Sequence, residues 1–325
     1  LPATLGADAP YENMGTIQTK GWELAIDYRH TFKNGLHFGV TASVADDKTE
    51  VTKWTYNTKI PSYGATGWWD KSAYKEGMVL GDIWGLQFDR FLTEDDFNAD
   101  GSLKAGLPDQ TKVFPAGYQF APGDVLYKDL DNNGEIVKQT NTNDKGDLSV
   151  IGNALPRLQF GLHLDAAWKG FDISMFFQGV AKRKLWAAGN QVLPGFTTGE
   201  PFYKGAEDYW TPENTDAFYP RPMDYKQSAS GNYSVNDRYL LNMAYLRLKT
   251  FTVGYSLPKV WLSKFKVQGL RVYFTGENLF TIDGVKPAID PEIGIRTASG
   301  KSDQRNFGRS YPYQKTVSFG IQLSL

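Results

Sequence analysis

The stretch of this chain best suited to ligand chemistry is Asp129-Leu130-Asp131-Asn132-Asn133-Gly134-Glu135-Ile136. Side-chain oxygens at alternate positions, with a glycine at the sharp turn, suit a hard cation such as Ca²⁺. Asp129, Asp131 and Asn133 are therefore candidate metal ligands, and Ca²⁺ is the one candidate cofactor. The twelfth position, where a bidentate Glu closes a helix–loop–helix calcium site, is Thr140. Asp144 and Asp147 are the carboxylates that could take its place. The same residues also spell an Asx-rich turn that bonds its own backbone, and both readings stand.

Other constellations carry less. The carboxylate pairs Asp95–Asp96, Glu207–Asp208 and Asp290/Glu292 have the residue types of a glycosidase, but spacing along the chain does not place them across a cleft. The three histidines, His30, His37 and His163, are not at metal-ligand spacing. No nucleophile elbow, phosphate loop or dinucleotide fingerprint is present. The sequence predicts no catalytic residue and no enzyme.

The elements that must position these residues are strands. Phe, Tyr and Trp make up 14% of the 325 residues, and there are 33 Gly. That mixture fits many strands, aromatic girdles and tight turns. A formal net charge of −1 leaves no basic excess to attract nucleic acid. The absence of Cys excludes disulfides and thiolate metal sites. No apolar run is long enough for a spanning helix, a test that transmembrane strands escape because they alternate.

Period-two alternation is the clearest signal. Phe160, Leu162, Leu164, Ala166 and Trp168 oppose Gln159, His163 and Asp165. Beyond Lys169-Gly170, Phe171, Ile173, Met175 and Phe177 share a face. Trp22, Leu24, Ile26 and Tyr28 oppose Glu23, Asp27 and Arg29, and Val317, Phe319, Ile321 and Leu323 alternate near the end. Seven strands are predicted, at 18–31, 36–54, 157–169, 171–185, 244–257, 269–281 and 313–325. The change of parity near Lys249–Thr250 predicts a bulge. Very short connections at 32–35 and 170 and a moderate one at 258–268 alternate with long ones at 55–156, 186–243 and 282–312. Outer-membrane barrels show that asymmetry, with short periplasmic turns and long extracellular loops. The competing reading is a soluble β-rich protein, carbohydrate-binding or glycoside-hydrolysing, whose apolar faces pack on a second sheet.

On the barrel reading, Glu23, Asp27, Arg29, His37, His163, Asp165, Arg271 and Glu277 face a wet lumen, and the uncharged faces meet lipid. An odd number of strands with two bare edges in hydrocarbon needs partner strands. Trp68, Trp69, Trp84, Trp186 and Trp210 are candidates for gripping a substrate or a lid protein, with packing inside the loops as the alternative.

Several segments resemble one family. They are ENMGTIQTKGWELAIDY (12–28), PGDVLYKDLDNNGEI (122–136), IGNALPRLQFGLHL (151–164), FDISMFFQGV (171–180), YWTPENTDAFYPR (209–221), YLRLKTFTVGYSLP (245–258), LRVYFTGENLFT (270–281) and the Asp290-Pro291-Glu292 triplet. In this order they resemble the SusC/RagA-like group of TonB-dependent outer-membrane transporters. The resemblance covers about residue 12 to the end, with Thr19 where the family has Asn. It implies that 1–325 is the C-terminal part of an all-β antiparallel transmembrane barrel of roughly 22 strands, without its plug. It implies as partners the remaining N-terminal barrel and plug, a SusD-like lipoprotein, the TonB complex and outer-membrane lipid, in a Bacteroidetes-type Gram-negative bacterium. The implied activity is import of a glycan or peptide.

Overall fold

The computed structural model describes residues 13–55, 74–139, 144–187, 189–195, 202–223, 231–263, 267–286, 289–292 and 311–324. In chain order the strands are β1 (Gly15–Thr31), β2 (His37–Trp54), β3 (Asp82–Gly85), β4 (Phe88–Phe91), β5 (Val125–Tyr127), β6 (Ser149–Asn153), β7 (Arg157–Trp168), β8 (Phe171–Lys182), β9 (Lys184–Leu185), β10 (Leu241–Asn242), β11 (Tyr245–Ser256), β12 (Gly269–Asp283) and β13 (Thr316–Ser324). One helical turn, α1 (Lys259–Leu262), joins β11 to β12.

Among the described residues, seven long strands make one sheet in the order β1-β2-β7-β8-β11-β12-β13, every pair antiparallel. Paired residues lie on the same face of a sheet, so register alone assembles the surfaces. Leu24↔Val44, Ala42↔Leu162, Leu164↔Met175, Ile173↔Val253, Val253↔Phe274 and Phe274↔Phe319 carry one apolar face across the whole sheet. Among the described residues nothing folds over it at Phe319, which is 83% exposed, and Trp22, Leu24, Ile26 and Tyr28 are exposed too. The soluble-sandwich reading requires these residues inside a second layer, and the described residues supply none. The expected bulge is present as a register shift between Leu248 and Thr250 in both ladders of β11.

At one end the turns are tight. Lys169 and Gly170 both take positive φ, +47° and +92°, the primed-turn geometry that matches strand twist. Aromatics gather on this rim: Phe171 packs on Tyr255 at 4.5 Å, and Trp168 donates its indole N–H to the Asn34 carbonyl at 3.2 Å. At the other end β1 and β2 run on past the apolar band. Asp46, opposite Trp22, is a carboxylate on the apolar parity at the band's upper edge. Arg157 neutralises it through a two-pronged ion pair.

The long connections are folded. β3 pairs with β6, β4 with β5 and β9 with β10. They surround two apolar cores, one holding Ile83, Trp186, Leu193, Tyr219, Tyr239 and Met243, the other Leu86, Phe114, Tyr127, Ile136 and Trp210. Three strand limits differ by three residues from the sequence-based expectation, and the other described limits by two or fewer. β8 stops at Lys182 instead of 185, because the Arg183 carbonyl accepts the Met243 N–H and Lys184–Leu185 turns off to pair with β10. β13 begins at Thr316 instead of 313, since the Tyr313 N–H bonds the Asp290 carboxylate and not a ladder partner. β1 begins earlier, at Gly15, where it pairs with Trp54.

Candidate functional site

The second face of the sheet is charged. Asp27↔Thr41, Arg29↔Gly39, Thr41↔His163, Gly39↔Asp165, Ser256↔Arg271 and Thr250↔Glu277 place the predicted polar residues together, with Glu23 and His37 in the same alternation on β1 and β2. Local contacts order them. Thr41 donates to Asp27 at 2.6 Å. Asp165 stands between His37 at 3.5 Å and His163 at 3.8 Å, and His163 Nε2 shares a 2.9 Å hydrogen bond with Ser174. Arg271 reaches across β11 to Asp172, with Nε and Nη2 at 3.0 and 2.5 Å from its two oxygens. A Cβ on Gly254 of β11 would fill the path of that guanidinium.

The sequence reading missed Arg247, on the same face of β11. It donates to Thr281, Asp290 and Glu292, while Lys249 donates to Glu292 at 2.9 Å. Tyr313 lies over both cations, with ring centroids 5.2 and 4.6 Å away. The Asp290/Glu292 pair is thus consumed by ion pairs, leaving no free acid–base couple there. Arg247 stands in the segment 245–258 already singled out, so its charge inside an apolar strand was the available signal.

Two other singled-out segments meet in the lobe that the folded long connections form. Asp124, with no exposed surface, accepts hydrogen bonds from Tyr118, the Ala121 N–H, Asn232 and both Nε and Nη2 of Arg221. Asp96 is gripped by Arg90 and by the Thr93 N–H, and these bonds hold its carboxyl down at about 2.

The aspartate loop supports both of its readings. Asp129 accepts the Gly134 N–H, Asp131 the Asn133 N–H, and Asn133 the Glu135 N–H, which is Asx-turn bonding. Asp147, 16 positions beyond Asp131, joins the cluster: oxygens of Asp129, Asp131 and Asp147 lie within 4.8 Å of one another. Asp129 Oδ1 is buried without a partner. Desolvation and the charges of Asp147 and Asp129 push the Asp131 carboxyl up, while the Gly134 N–H holds Asp129 down. Asn133, Asp131 and Asp147 all accept hydrogen bonds within the loop, and Asp129 Oδ1 is the oxygen left without one.

The tryptophans divide. Trp186 and Trp210 are 1% and 7% exposed and belong to the two cores, so they pack within the folded connections. Trp84 is half-buried against the second core. Trp68 and Trp69 lie outside the described residues.

A one-layer antiparallel sheet with an exposed apolar face, a charged opposite face and folded long connections at one end has the design of an outer-membrane receptor wall. No protein-family model matches the chain. Across 99% of its length it is 26% identical to TonB-dependent receptor P3 of Formosa agariphila, covering 30% of that protein. Across 97% it is 22% identical to TonB-dependent receptor SusC of Bacteroides thetaiotaomicron, covering 27% of it. Its fold is similar to a solved structure of the RagAB peptide transporter, with a TM-score of 0.62 at 18% identity over 99% of this chain and 31% of that one. The chain is similar over almost its whole length to TonB-dependent receptors, SusC among them, and it spans about 30% of the length of the curated relatives it matches.

Proposed function

We propose that this chain forms the C-terminal seven strands of a 22-strand-class transmembrane barrel that imports an oligomeric nutrient, a glycan or a peptide, across an outer membrane. One observation carries the reading: an unbroken apolar face, open to its surroundings, backs a face of mixed charge. Burying such a face in hydrocarbon stabilises it, and the charged face then lines a wet lumen. The outer edges of β1 and β13 take further strands of the same barrel, which satisfies their backbone groups in lipid. The other partners in this reading are the plug, a SusD-like lipoprotein over the folded loops, and TonB through the N-terminal part. The role of the chain is binding and passage, with no covalent step. The Asp129–Asp131–Asp147 cluster is our proposed Ca²⁺ site, a fastening for the lobe.

Fractionation of cells expressing the full-length protein tests this. Recovery in the outer membrane, extraction only by detergent, and a heat-dependent gel shift are expected. Recovery in the aqueous fraction without detergent sinks the proposal.

A further inference from the structure

The apolar face ends, on the side of the long connections, in a row of cations that neither the charged wall nor the aspartate loop uses. The unbroken ladder that pairs Leu24 with Val44 and Trp22 with Asp46 next pairs Lys20 with Lys48. Both lysines therefore stand on the apolar parity, one pleat beyond Trp22, and both are exposed. Like charges directly opposite each other on one face destabilise a ladder. Arg157 and Lys182 continue the row as register partners on the next two strands, and Arg157 is tied back to Asp46. One cation thus stands on each of β1, β2, β7 and β8, within about 15 Å across the strands. Asp46 takes Arg157 and feels the charge of Lys182, while Glu50 takes Lys48 at 3.3 Å. Even with Asp82, whose charge reaches Lys48 from β3, the row keeps a positive excess. Among the described residues Lys20 is in no ion pair.

Height says what the row faces. Ten residue steps run along β2 from Phe38, at the tight-turn edge of the apolar face, to Lys48. At about 3.4 Å a step and a tilt of about 40°, they climb roughly 26 Å, the height of the apolar band of an outer-membrane barrel. The row then lies in the headgroup layer of the outer leaflet, directly above hydrocarbon. An acidic solute in the lumen meets the opposite face of the sheet. A ligand for the row has to be anionic and anchored in the hydrocarbon beside Trp22. Phosphate esters on an acylated saccharide meet both demands, and phosphate oxygens accept charge-assisted bonds from ammonium groups. Basic clusters at a membrane surface recognise lipid headgroups on the same terms. We propose that Lys20 and Lys48, with Lys182 beside them, bind the phosphate groups of a phosphorylated saccharide lipid of the outer leaflet. The anion offsets the Lys20–Lys48 repulsion, and the Arg157–Asp46 pair holds the row together. The proposal rests on the membrane placement in the import reading.

Native mass spectrometry of the full-length transporter in detergent tests it, with diphosphoryl lipid A, dephosphorylated lipid A and inorganic phosphate as the three probes. Wild type is expected to retain diphosphoryl lipid A. Lys20→Gln/Lys48→Gln, checked for folding by the heat-dependent gel shift, should weaken retention roughly tenfold or more. Lys20→Arg/Lys48→Arg, which keeps both charges, and Lys33→Gln, at the tight-turn edge, should retain the lipid as wild type does. Equal retention by the Gln double variant overturns the site, and an equal loss in Lys33→Gln overturns its position. Dephosphorylated lipid A held as tightly as the diphosphoryl form overturns the phosphate contact. Inorganic phosphate held as tightly as lipid A overturns the lipid. An inserted wild-type transporter that retains no lipid A sinks this proposal alone; failure of membrane insertion sinks the import reading beneath it.

Discussion

Arg247 and Asp290 meet at 2.6 Å, Nη2 to Oδ1, with side chains only 4% and 5% exposed. The same guanidinium holds Glu292 at 2.6 Å, and the second oxygen of Asp290 accepts the Tyr313 N–H at 3.0 Å. One arginine on the wall therefore fixes residues from both ends of the last long connection. Burial works to raise the Asp290 carboxyl, but the hydrogen bonds from Arg247 and the backbone outweigh it, and the net shift is downward.

Removing that arginine leaves the Asp290 carboxylate without its counter-charge, while Glu292 keeps Lys249. Breaking a buried pair on one side costs about 3–5 kcal/mol. Arg247→Ala is expected to free the 289–292 segment, read as rapid labelling of a cysteine placed at Pro291 in intact cells. Arg247→Met/Asp290→Asn should label more slowly than Arg247→Ala, because Glu292 keeps Lys249 and Asp290 no longer leaves an unpaired charge. Equal rates would dissociate the latch from its charges.

The apolar face should reject charge and the opposite face accept it. Leu164→Arg places a guanidinium toward hydrocarbon at a cost of about 2–4 kcal/mol near mid-membrane. His163→Arg, one position away, keeps its charge on the wet side. A heat-dependent gel shift should show a smaller folded fraction for Leu164→Arg and a near wild-type fraction for His163→Arg.

Gly123 should resist substitution more than Gly101. Both have positive φ, +90° and +82°. A Cβ at Gly101 meets open space, whereas one at Gly123 would lie 2.5 Å from the Trp210 ring and 2.9 Å from Arg221 Cβ. Gly101→Ala therefore costs about 1–2 kcal/mol of left-handed strain, and Gly123→Ala adds a clash beside the Asp124–Arg221 pair. The melting temperature of the lobe, followed by intrinsic fluorescence, should fall further for Gly123→Ala.

Calcium should stabilise the lobe if the three aspartates hold it. Added Ca²⁺ is expected to raise the lobe's melting temperature over that in chelator, by linkage, and Asp129→Asn should abolish the difference. Equal melting with Ca²⁺ and with chelator would leave the Asx turn as the whole account of Asp129, Asp131 and Asn133.

Acid should loosen the Arg90–Asp96 contact. The Asp96 carboxyl is depressed from 3.8 to about 2 in the folded chain. Its contribution is therefore full above the unfolded value and is lost as pH falls from about 4 through about 2. Asp96→Asn should flatten the stability of the lobe in that window while leaving its stability difference from wild type constant above pH 5.

Seven strands, their alternating connections and the bulge in β11 were legible because period-two alternation is a local property. A single-layer sheet adds no second surface to blur it. Trp186 and Trp210 were not legible as core residues. A tryptophan in a long loop has the same local signature whether it packs inward or waits for a ligand, and only the folding of the loop decides. Asp147 was named as one of two stand-ins for the calcium-loop carboxylate, and proximity in space, not spacing, selected it.

The sequence by itself determined which face of each strand is greasy and which is charged, since alternation assigns every side chain to a side once the backbone is extended. Tertiary structure alone decided which charges meet. Arg247 finds Asp290 across 43 positions, and Arg221 finds Asp124 across 97. Pairings over such separations depend on how long connections close on themselves, which no local pattern of residues encodes.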